Sequence, residues 1–123
     1  MSVHTRSQKL AQAAFPAVQN RKETLDPKGF GDYTSFAKKF PALVHACGLA
    51  QAVAFAVAKK ETEYLTDLAA VLKGGGHTKM ENGSALAEQT RCLPVSGYLR
   101  LSRDAIDAAS WLKRYVEALG DAS

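Results

Sequence analysis

The stretch KKFPALVHACGLAQAVAFAVAKK, residues 38–60, determines how the chain folds. Between its two lysine pairs, residues 40–58 carry only two polar side chains, His45 and Gln51. The run is just long enough to cross a bilayer, but seven of its nineteen residues are alanine. Its strongly apolar residues offer only about −3 kcal/mol of insertion energy, which is weak for a membrane span. A glycine also interrupts it, and glycine favours helix ends. We therefore expect a water-soluble protein whose two core helices fold back on each other at Cys47-Gly48.

Apolar residues with helical spacing surround this stretch, and no segment shows the sustained alternation of a strand. The first candidate helix covers about residues 3–20, where Pro16 predicts a kink or a stop one residue earlier. Another helix is predicted over residues 61–73, and a last one starts after Ser102 and closes at Gly120. The apolar stripes are Leu10, Ala14, Ala17 and Val18; Phe36, Phe40, Leu43, Val44 and Cys47; Tyr64, Leu65, Leu68, Val71 and Leu72; and Ala105, Ala109, Leu112, Val116 and Leu119.

Two segments rich in glycine and polar residues are predicted connections. Residues 21–32, RKETLDPKGFGD, combine charge with glycine and proline. The next helix is therefore expected to begin at a Thr34 or Ser35 cap. Residues 74–84, GGGHTKMENGS, are expected to form a flexible loop.

The remaining segments complete an all-helical pattern. Leu49–Ala58 is apolar on almost every side, so we expect its neighbours to bury it. A short helix capped by Ser84 stops before Pro94. The chain has 123 residues, of which 46% are hydrophobic and 23% charged. Over residues 1–123 the pattern predicts an all-α fold, a compact single-domain bundle of about five to six helices.

The cysteines and the amino-terminal sequence indicate a reducing compartment. The first ten residues, MSVHTRSQKL, lack the apolar segment of a secretory signal. Cys47 and Cys92 form no CxxC pair, and Cys47 lies on an apolar stripe, where a buried free thiol is the common case. These features favour a cytoplasmic protein without disulfides, with a Cys47–Cys92 bridge as the alternative.

The net charge of +4 is unevenly distributed along the chain. Residues 1–60 carry nine basic and three acidic side chains, a balance of +6. Residues 61–123 carry seven and nine, a balance of −2. Such an asymmetry can favour head-to-tail stacking of copies or a face that meets phosphate, although solubility alone would explain a net charge of +4.

The histidines and cysteines do not have the spacing of a metal site or a catalytic site. His4, His45 and His77 are scattered, and zinc sites need ligands at characteristic spacings. His45 in an apolar helix is more simply a hydrogen-bonded core residue. It cannot activate Cys47 from the same helical face, because the two residues are only two positions apart. No metal, cofactor or catalytic residue is predicted.

Two further patterns resemble catalytic motifs and have simpler explanations. GGGHTK at residues 74–79 is not a GxxxxGK[ST] phosphate loop, and no strand precedes it. Asp104 and Asp107 are three residues apart, as paired acid–base carboxylates can be. Asp107 is also four residues after Arg103, so surface ion pairing explains it more simply. The chain is therefore predicted not to be an enzyme.

Basic side chains on several helices are candidate phosphate contacts, because nucleic-acid affinity comes largely from such charges. They are Arg6, Lys9, Lys38, Lys39, Arg100, Arg103, Lys113 and Arg114. On composition alone a solvated surface is favoured, since no base-reading motif accompanies them. Trp111, Tyr115 and Tyr98 can stack on bases, but the core or a protein–protein interface is the better interpretation.

Four blocks, in their order along the chain, resemble a known family. They are RSQKLAQAAFPAV (6–18), YTSFAKKFPALVHACGLAQAVAFAVAK (33–59), YLTDLAAVL (64–72) and YLRLSRDAIDAASWLKRYVEAL (98–119). The chain resembles, over nearly its whole length, the small α-helical subunit of the type III-B CRISPR RNA-targeting complex, the Cmr complex. The most specific blocks are FPALVHACGLAQAVAF and LSRDAIDAASWLKRY. Cys47 stands where a polar residue such as asparagine is expected, at a position that flanks a turn.

The resemblance implies a non-catalytic subunit of an antiviral RNA-guided complex. Members of the family stack in several copies along the small-subunit filament, beside the backbone subunits and near the large subunit. They help to hold guide RNA and target RNA, which other subunits cleave. Contact with any target must be independent of sequence, which phosphate-reaching cations provide. The expected RNA-facing strip consists of Arg6, Lys9, Lys38, Lys39, Arg103, Lys113 and Arg114.

Two other classes of function stay open from the residues alone. One is a protein–protein interaction module in a multisubunit assembly, without direct RNA contact and without a membrane partner. The other is a small hydrolase or redox enzyme, which would require Cys47 or a histidine to act.

Overall fold

The computed structural model describes residues 4–120, and six α-helices lie within this part of the chain. In chain order they are α1 (Arg6–Thr24), α2 (Pro27–Cys47), α3 (Leu49–Ala58), α4 (Thr62–Gly74), α5 (Gly83–Cys92) and α6 (Val95–Gly120). Their buried faces share one hydrophobic core. The all-α prediction of five to six helices is confirmed, and the assignment of residues 1–123 to a single domain stays a prediction. The helix start predicted at residue 3 lies outside the described residues.

The break predicted in the central stretch is confirmed at Gly48. This residue adopts φ 85° and ψ 161°, a backbone conformation that side chains with a Cβ rarely adopt. Its N–H donates to the carbonyl of Val44 at 2.8 Å and closes α2, and α3 starts at the next residue. The chain then turns back on itself, since the rings of Phe36 and Phe55 stack with centroids 6.4 Å apart.

Aromatic rings fill the core between α2 and α4. Phe36, Phe40 and Tyr64 are at most 3% exposed. The ring of Tyr64 lies 5.1 Å from that of Phe40 and 5.3 Å from that of Phe36. Burying a side chain of this size contributes roughly 1.5–3 kcal/mol each. This cluster fixes α4 against the central stretch.

α3 is buried on one side only. Its core-facing residues are Leu49, Ala52, Val53 and Ala56. Val57 is 53% exposed, and Ala54 and Ala58 are exposed as well. The expectation that Leu49–Ala58 is buried all round is wrong, because α3 lies at the edge of the bundle and alanine exposes little apolar surface there. Among residues 4–120, no helix combines the length and the hydropathy that a membrane crossing requires.

The predicted connection over residues 21–32 is wrong. α1 and α2 extend into this segment from both sides and leave two residues between them. The side chain of Asp26 caps α2, accepting a hydrogen bond from the backbone N–H three residues later at 2.7 Å. Pro27 follows in the first turn, where its missing N–H costs no hydrogen bond. The predicted cap at Thr34 or Ser35 therefore lies inside the helix.

Pro16 does not end α1, so the stop predicted near Phe15 is wrong. The proline lies on the solvent face of the helix, and Gln12, whose carbonyl loses its helical donor, is exposed too. Water can therefore bond that carbonyl. The buried side chains of Ala14 and Val18 hold the helix to the core on both sides of the proline.

Two other helix starts differ from the prediction. α6 begins at Val95 rather than after Ser102, because Leu101 already continues its buried face. Asn82, rather than Ser84, caps α5, and its side chain accepts a hydrogen bond from a backbone N–H at 2.8 Å. Both helices start earlier than their serines indicate.

α6 is the longest helix and extends from one end of the bundle to the other. Its 26 residues span about 39 Å. α1 runs beside it in the same direction: Arg6 reaches Asp104, and the ammonium of Lys22 donates to the carbonyl of Leu119 at 2.7 Å. The basic first half of the chain therefore packs directly against the more acidic second half, and the two halves do not form separate faces.

The segment between α4 and α5 is tied to the bundle at several points. Met80 is 3% exposed and belongs to the core. The backbone N–H of His77 donates to the carbonyl of Leu72 at 3.0 Å, and its Nε2 lies 2.7 Å from a carboxylate oxygen of Asp104. The flexibility expected for residues 74–84 stays a prediction.

Candidate nucleic-acid interface

Two of the predicted RNA contacts, Arg6 and Arg103, lie at a buried carboxylate. Asp104 is 3% exposed. The Nε atoms of Arg6 and Arg103 lie 3.1 and 3.6 Å from its Oδ1, and His77 lies beside its Oδ2. A buried carboxylate needs such partners, because desolvation without them is costly. The expectation that Asp104 and Asp107 are explained by surface pairing is therefore wrong for Asp104.

A capping box positions Arg6 at the start of α1. The hydroxyl of Thr5 accepts from the N–H of Gln8 at 3.0 Å, and the side chain of Gln8 accepts from the N–H of Thr5 at 2.8 Å. Arg6 also lies 3.5 Å from Asp107, which replaces the pairing expected between Arg103 and Asp107. The side chain of Arg6 keeps 42% of its surface exposed. The guanidinium of Arg6 thus pairs with two carboxylates of the protein, and part of this side chain is still exposed to solvent.

Lys38 and Lys39 are exposed on α2, and Lys39 lies beside two aromatic rings. The ammonium of Lys39 lies 5.5 Å from the ring centroid of Phe36 and 5.8 Å from that of Phe55. Lys59, which was not among the predicted contacts, lies 5.6 Å from the same Phe55 ring. Its signal in the sequence is its place in the second lysine pair. Two ammonium groups thus share the ring of Phe55 at the protein surface.

The other three predicted contacts belong to α1 and α6. Lys9 and Arg114 are exposed, and Lys113 is half-buried. Within residues 4–120 no carboxylate forms an ion pair with any of them. The structure thus brings Arg6 and Arg103 to one carboxylate and places Lys39 and Lys59 at the ring of Phe55. A common strip formed by all seven predicted residues stays a prediction.

A second buried carboxylate, Asp67 on α4, was not predicted. It is 6% exposed. Arg21 donates to it from Nε at 2.9 Å and from Nη2 at 3.1 Å, and the hydroxyl of Tyr33 donates at 2.6 Å. These bonds join α1, α2 and α4. The available signal was its position, because Asp67 lies three residues after Tyr64 on the buried face of its helix.

This network shifts the acid–base behaviour of its members. The hydrogen bonding that Arg21 donates to the Asp67 carboxylate is the main cause that raises the pKa of Arg21. Burial, and then the negative charge of Asp67, raise the pKa of Tyr33 far above its ordinary value of 10.0. Burial also raises the pKa of Tyr64. Both phenols therefore stay protonated in the folded protein, and Tyr33 serves as a donor to the carboxylate.

Trp111 and Tyr115 pack between α1 and α6. Their rings stack with centroids 5.6 Å apart, and Tyr115 meets Phe15 edge-on at 5.3 Å. The indole Nε1 of Trp111 donates to the hydroxyl of Ser7 at 3.1 Å. Both rings are half-buried. They hold two helices together, which agrees with the interpretation that these rings serve packing rather than base stacking.

Both cysteines are free and exposed. The prediction that Cys47 is buried is wrong, because it lies in the last turn of α2, beyond the end of the buried stripe. His45 is exposed too and is not the core residue that was predicted. Across residues 4–120, no three histidine, cysteine or acidic side chains come close enough to hold a metal ion.

A groove of about 570 Å³ lies between α3, α4 and α5. Val57 and Leu65 contribute apolar surface to it, and Lys60 and Arg91 contribute positive charge. Glu61 is the acidic residue in the lining of the groove, and burial raises the pKa of its carboxyl group. Its lining contains neither a histidine nor a cysteine, and no second carboxylate that could pair with Glu61 for acid–base chemistry.

The described residues define a small all-α protein with exposed basic side chains on several helices. A family model described as CRISPR-associated protein (Cas_Cmr5) matches residues 6–119, so the chain belongs to the Cmr5 family, the family of a small subunit of the CRISPR Cmr complex. The "CRISPR system Cmr subunit Cmr5" of Thermus thermophilus is 38% identical over 120 residues, which cover 95% of this chain and 97% of that protein.

A solved structure confirms the fold of the family. The X-ray crystal structure of a CRISPR-associated Cmr5 family protein from Thermus thermophilus matches with a TM-score of 0.82 at 37% identity. The match covers 95% of this chain and 98% of that one. The resemblance inferred from the four sequence blocks is therefore confirmed.

Proposed function

We propose that this protein is a non-catalytic structural subunit of a type III-B Cmr RNA-guided ribonucleoprotein complex. Copies stack along the small-subunit filament, contact the backbone and large subunits, and help to hold guide RNA and target RNA. The complex works in the cytoplasm in antiviral defence. The observation that carries the proposal is the family match over residues 6–119.

Cations without an acidic partner support the RNA-holding part of the proposal. Lys38, Lys39, Lys113 and Arg114 have no ion-pair partner among residues 4–120. Binding to phosphate therefore does not require them to give up an ion pair with a carboxylate of the described residues. Phosphate contacts position a nucleic acid without reading its bases, which suits a complex whose specificity comes from guide–target pairing.

Arg6, Arg103 and Lys9 take a secondary part in this proposal. Arg6 and Arg103 keep 42% and 62% of their side-chain surface exposed while they lie beside Asp104. Each can reach a phosphate with its outer edge only. Lys9 lies one helical turn after Arg6 and extends the same end of α1.

Paired charge reversals test the RNA contacts. One variant carries Lys38→Glu with Lys39→Glu, and another carries Lys113→Glu with Arg114→Glu. RNA affinity of the assembled complex is measured against salt concentration for each. We expect weaker binding and a slope of log K against log salt that is flatter by about 1–2. Each phosphate contact releases counterions when RNA binds, so a variant with fewer contacts releases fewer of them.

A matched control uses lysines that already have acidic partners. Lys28 lies 3.3 Å from Asp32, and Lys73 lies 3.4 Å from Glu81. The variant Lys28→Glu with Lys73→Glu changes the net charge by the same amount and should leave both affinity and slope unchanged. Unchanged RNA binding in both test variants would rule out these contact residues.

The alternative is a protein–protein interaction module without direct RNA contact. Its support is the exposed apolar surface, since Val57, Val95 and Leu99 are all more than half exposed. In that case all charge reversals leave RNA affinity unchanged, and changes at these apolar positions prevent assembly.

A further inference from the structure

A small polar pocket lies where the segment between α4 and α5 meets α5 and the first two turns of α6. Its volume is about 250 Å³. The polar side chains that line it are His77, Thr78, Lys79, Gln89 and Arg100. Sites for drug-sized ligands begin at roughly 300 Å³, so this pocket suits one compact polar group.

Lys79 and Arg100 are the two cations of the pocket, and they come from different elements. Lys79 belongs to the segment before α5, and Arg100 belongs to α6. Within residues 4–120, neither side chain forms an ion pair with a carboxylate. Two cations that line one small pocket create a positive potential there, which attracts an anion.

The acidic residues close to this pocket along the chain do not neutralise it. Asp104 is 3% exposed and binds Nε2 of His77 at 2.7 Å, so it lies behind the histidine ring. Glu81 lies 3.4 Å from Lys73. Glu88 precedes Gln89 on α5 but does not line the pocket. The lining itself contains no carboxylate.

The segment that carries Lys79 is anchored on both sides of it. The backbone N–H of His77 donates to the carbonyl of Leu72 at 3.0 Å, and its ring is bonded to Asp104. Met80 is 3% exposed in the core, and its N–H donates to the carbonyl of His77 at 3.2 Å. Thr78 and Lys79 are held between these two residues, so the pocket is formed before a ligand arrives.

We propose that this pocket, here called the phosphate pocket, binds a single phosphate group. A guanidinium can donate two parallel hydrogen bonds to phosphate, and an ammonium adds a compact charge. The hydroxyl of Thr78 and the amide of Gln89 supply neutral donors for the remaining oxygens. The first turn of α6 borders the pocket at Gly97 and has no acidic residue, so its dipole adds to the attraction.

A phosphate group can reach this pocket from an RNA backbone, from a terminal phosphate or from free phosphate. Its assignment to the backbone of guide RNA or target RNA rests on the proposed function. Lys79 was not among the predicted RNA contacts. Phosphate binding itself is a property of the purified chain and can be measured without the complex.

Nuclear magnetic resonance of the full purified chain tests the pocket. Inorganic phosphate is added at constant ionic strength, and the backbone amide shifts are followed. We expect saturable shifts that are largest at residues 77–80, 97 and 100. Acetate, titrated in the same way, should bind at least about tenfold more weakly, because it offers fewer oxygens and less charge to the same donors.

A double variant removes both cations while it keeps side chains of moderate length. Lys79→Gln with Arg100→Gln should weaken phosphate binding at least about tenfold, because two charge-assisted contacts are lost. Both positions are exposed, so the fold should be retained. The matched control, Lys28→Gln with Arg91→Gln, changes the net charge equally at two exposed positions outside the pocket and should bind phosphate normally.

Two short RNAs of one sequence, with and without a 5′-phosphate, distinguish the sources of phosphate. If the pocket takes backbone phosphate, both RNAs shift the same amides and displace inorganic phosphate. If it takes terminal or free phosphate, only the 5′-phosphorylated RNA does so. Either result supports the pocket and names its source.

Three results would overturn the proposal. They are shifts that do not saturate, acetate binding as tight as phosphate binding, and equal loss of affinity in the test and control variants. A complex that holds RNA normally while the chain shows one of these results removes only the phosphate pocket. Saturable phosphate binding by a chain that joins no Cmr complex removes only the proposed function.

Discussion

Asp67 and Asp104 are both buried carboxylates on helix faces, yet their partners differ in exposure. Arg21 binds Asp67 with two hydrogen bonds, and the side chain of this arginine is 20% exposed. Arg6 and Arg103, the arginines at Asp104, are 42% and 62% exposed. The same type of acid therefore joins helices internally at one site and organises outward-facing cations at the other.

The two sites separate the structural charge of this protein from the charge that is available to a partner. At Asp67 the arginine of α1 and the tyrosine of α2 both donate to the carboxylate of α4. Little of this ion pair is exposed to water. At Asp104 three basic groups lie around one carboxylate: His77 is hydrogen-bonded to it, and the two arginines lie at ion-pair distance. We expect changes at the first site to affect stability most, and changes at the second to affect surface chemistry most.

Arg21→Gln should destabilise the protein more than any other change considered at these two sites. It leaves Asp67 buried with Tyr33 as its remaining strong donor, and breaking a buried ion pair from one side costs about 3 kcal/mol. Urea unfolding followed by circular dichroism measures the change. A loss below about 1 kcal/mol would mean that water reaches Asp67 and that the contrast with Asp104 is wrong.

Alkaline unfolding probes the Asp67 site by a second route. Tyr33 and Tyr64 ionise near 10.0 when unfolded, but their folded pKa values are raised, so above pH 10 the folded state binds more protons. The free energy of unfolding should therefore fall above pH 10, by up to about 1.4 kcal/mol per pH unit for each tyrosine. Below pH 10 these groups cause no slope.

The variant Tyr33→Phe is the control for this effect. It should remove about half of the alkaline slope, because only Tyr64 still titrates differently in the two states. Unfolding curves at pH 9, 10 and 11 measure it. Identical slopes for the variant and the unchanged protein would contradict the assignment of Tyr33.

Arg6→Gln repeats the first substitution at the other carboxylate, where the loss should be smaller. Asp104 keeps Arg103 and His77, and Arg6 is partly solvated, so we expect a loss of about 1 kcal/mol. The same urea experiment gives the answer. A loss equal to that of Arg21→Gln would show that Asp104 also depends on a single partner.

Lys28→Ala should change stability least and provides a baseline for both sites. Lys28 and Asp32 are 85% and 70% exposed and four residues apart on α2. An exposed pair of this kind contributes about 0.3–0.5 kcal/mol, and the thermal midpoint should barely change. A larger loss would indicate a role for Lys28 beyond this pair.

The sequence predicted the number of helices and the Gly48 break well, several helix boundaries wrongly, and the polar interior poorly. Gly48 and the stripe through Phe36 and Phe40 were visible because helical periodicity and glycine conformation are local properties. The Asp26-Pro27 start was present in the sequence too, but the charge around it favoured a loop. Pro16 led to a wrong helix end for a different reason. Tertiary packing on both sides of this solvent-facing proline outweighs the lost backbone hydrogen bond, so α1 continues.

The two buried carboxylates could not be assigned partners from the sequence. Asp67 meets Arg21 across 46 residues, and Asp104 meets His77 across 27. Such pairings depend on how the helices pack, which periodicity does not determine. The sequence does show that each aspartate lies on an apolar helix face, where a buried acid needs a partner.

The exposed cations of this Cmr5 family protein are proposed to hold RNA within the complex, and RNA crosslinking can detect that contact. Guide RNA and target RNA are photo-crosslinked in the affinity-purified complex, and the peptides of this chain are then analysed by mass spectrometry. We expect a crosslinked peptide from residues 1–40 or from residues 100–115. Crosslinks on other subunits of the same sample, with none on this chain, would show that the RNA is held elsewhere.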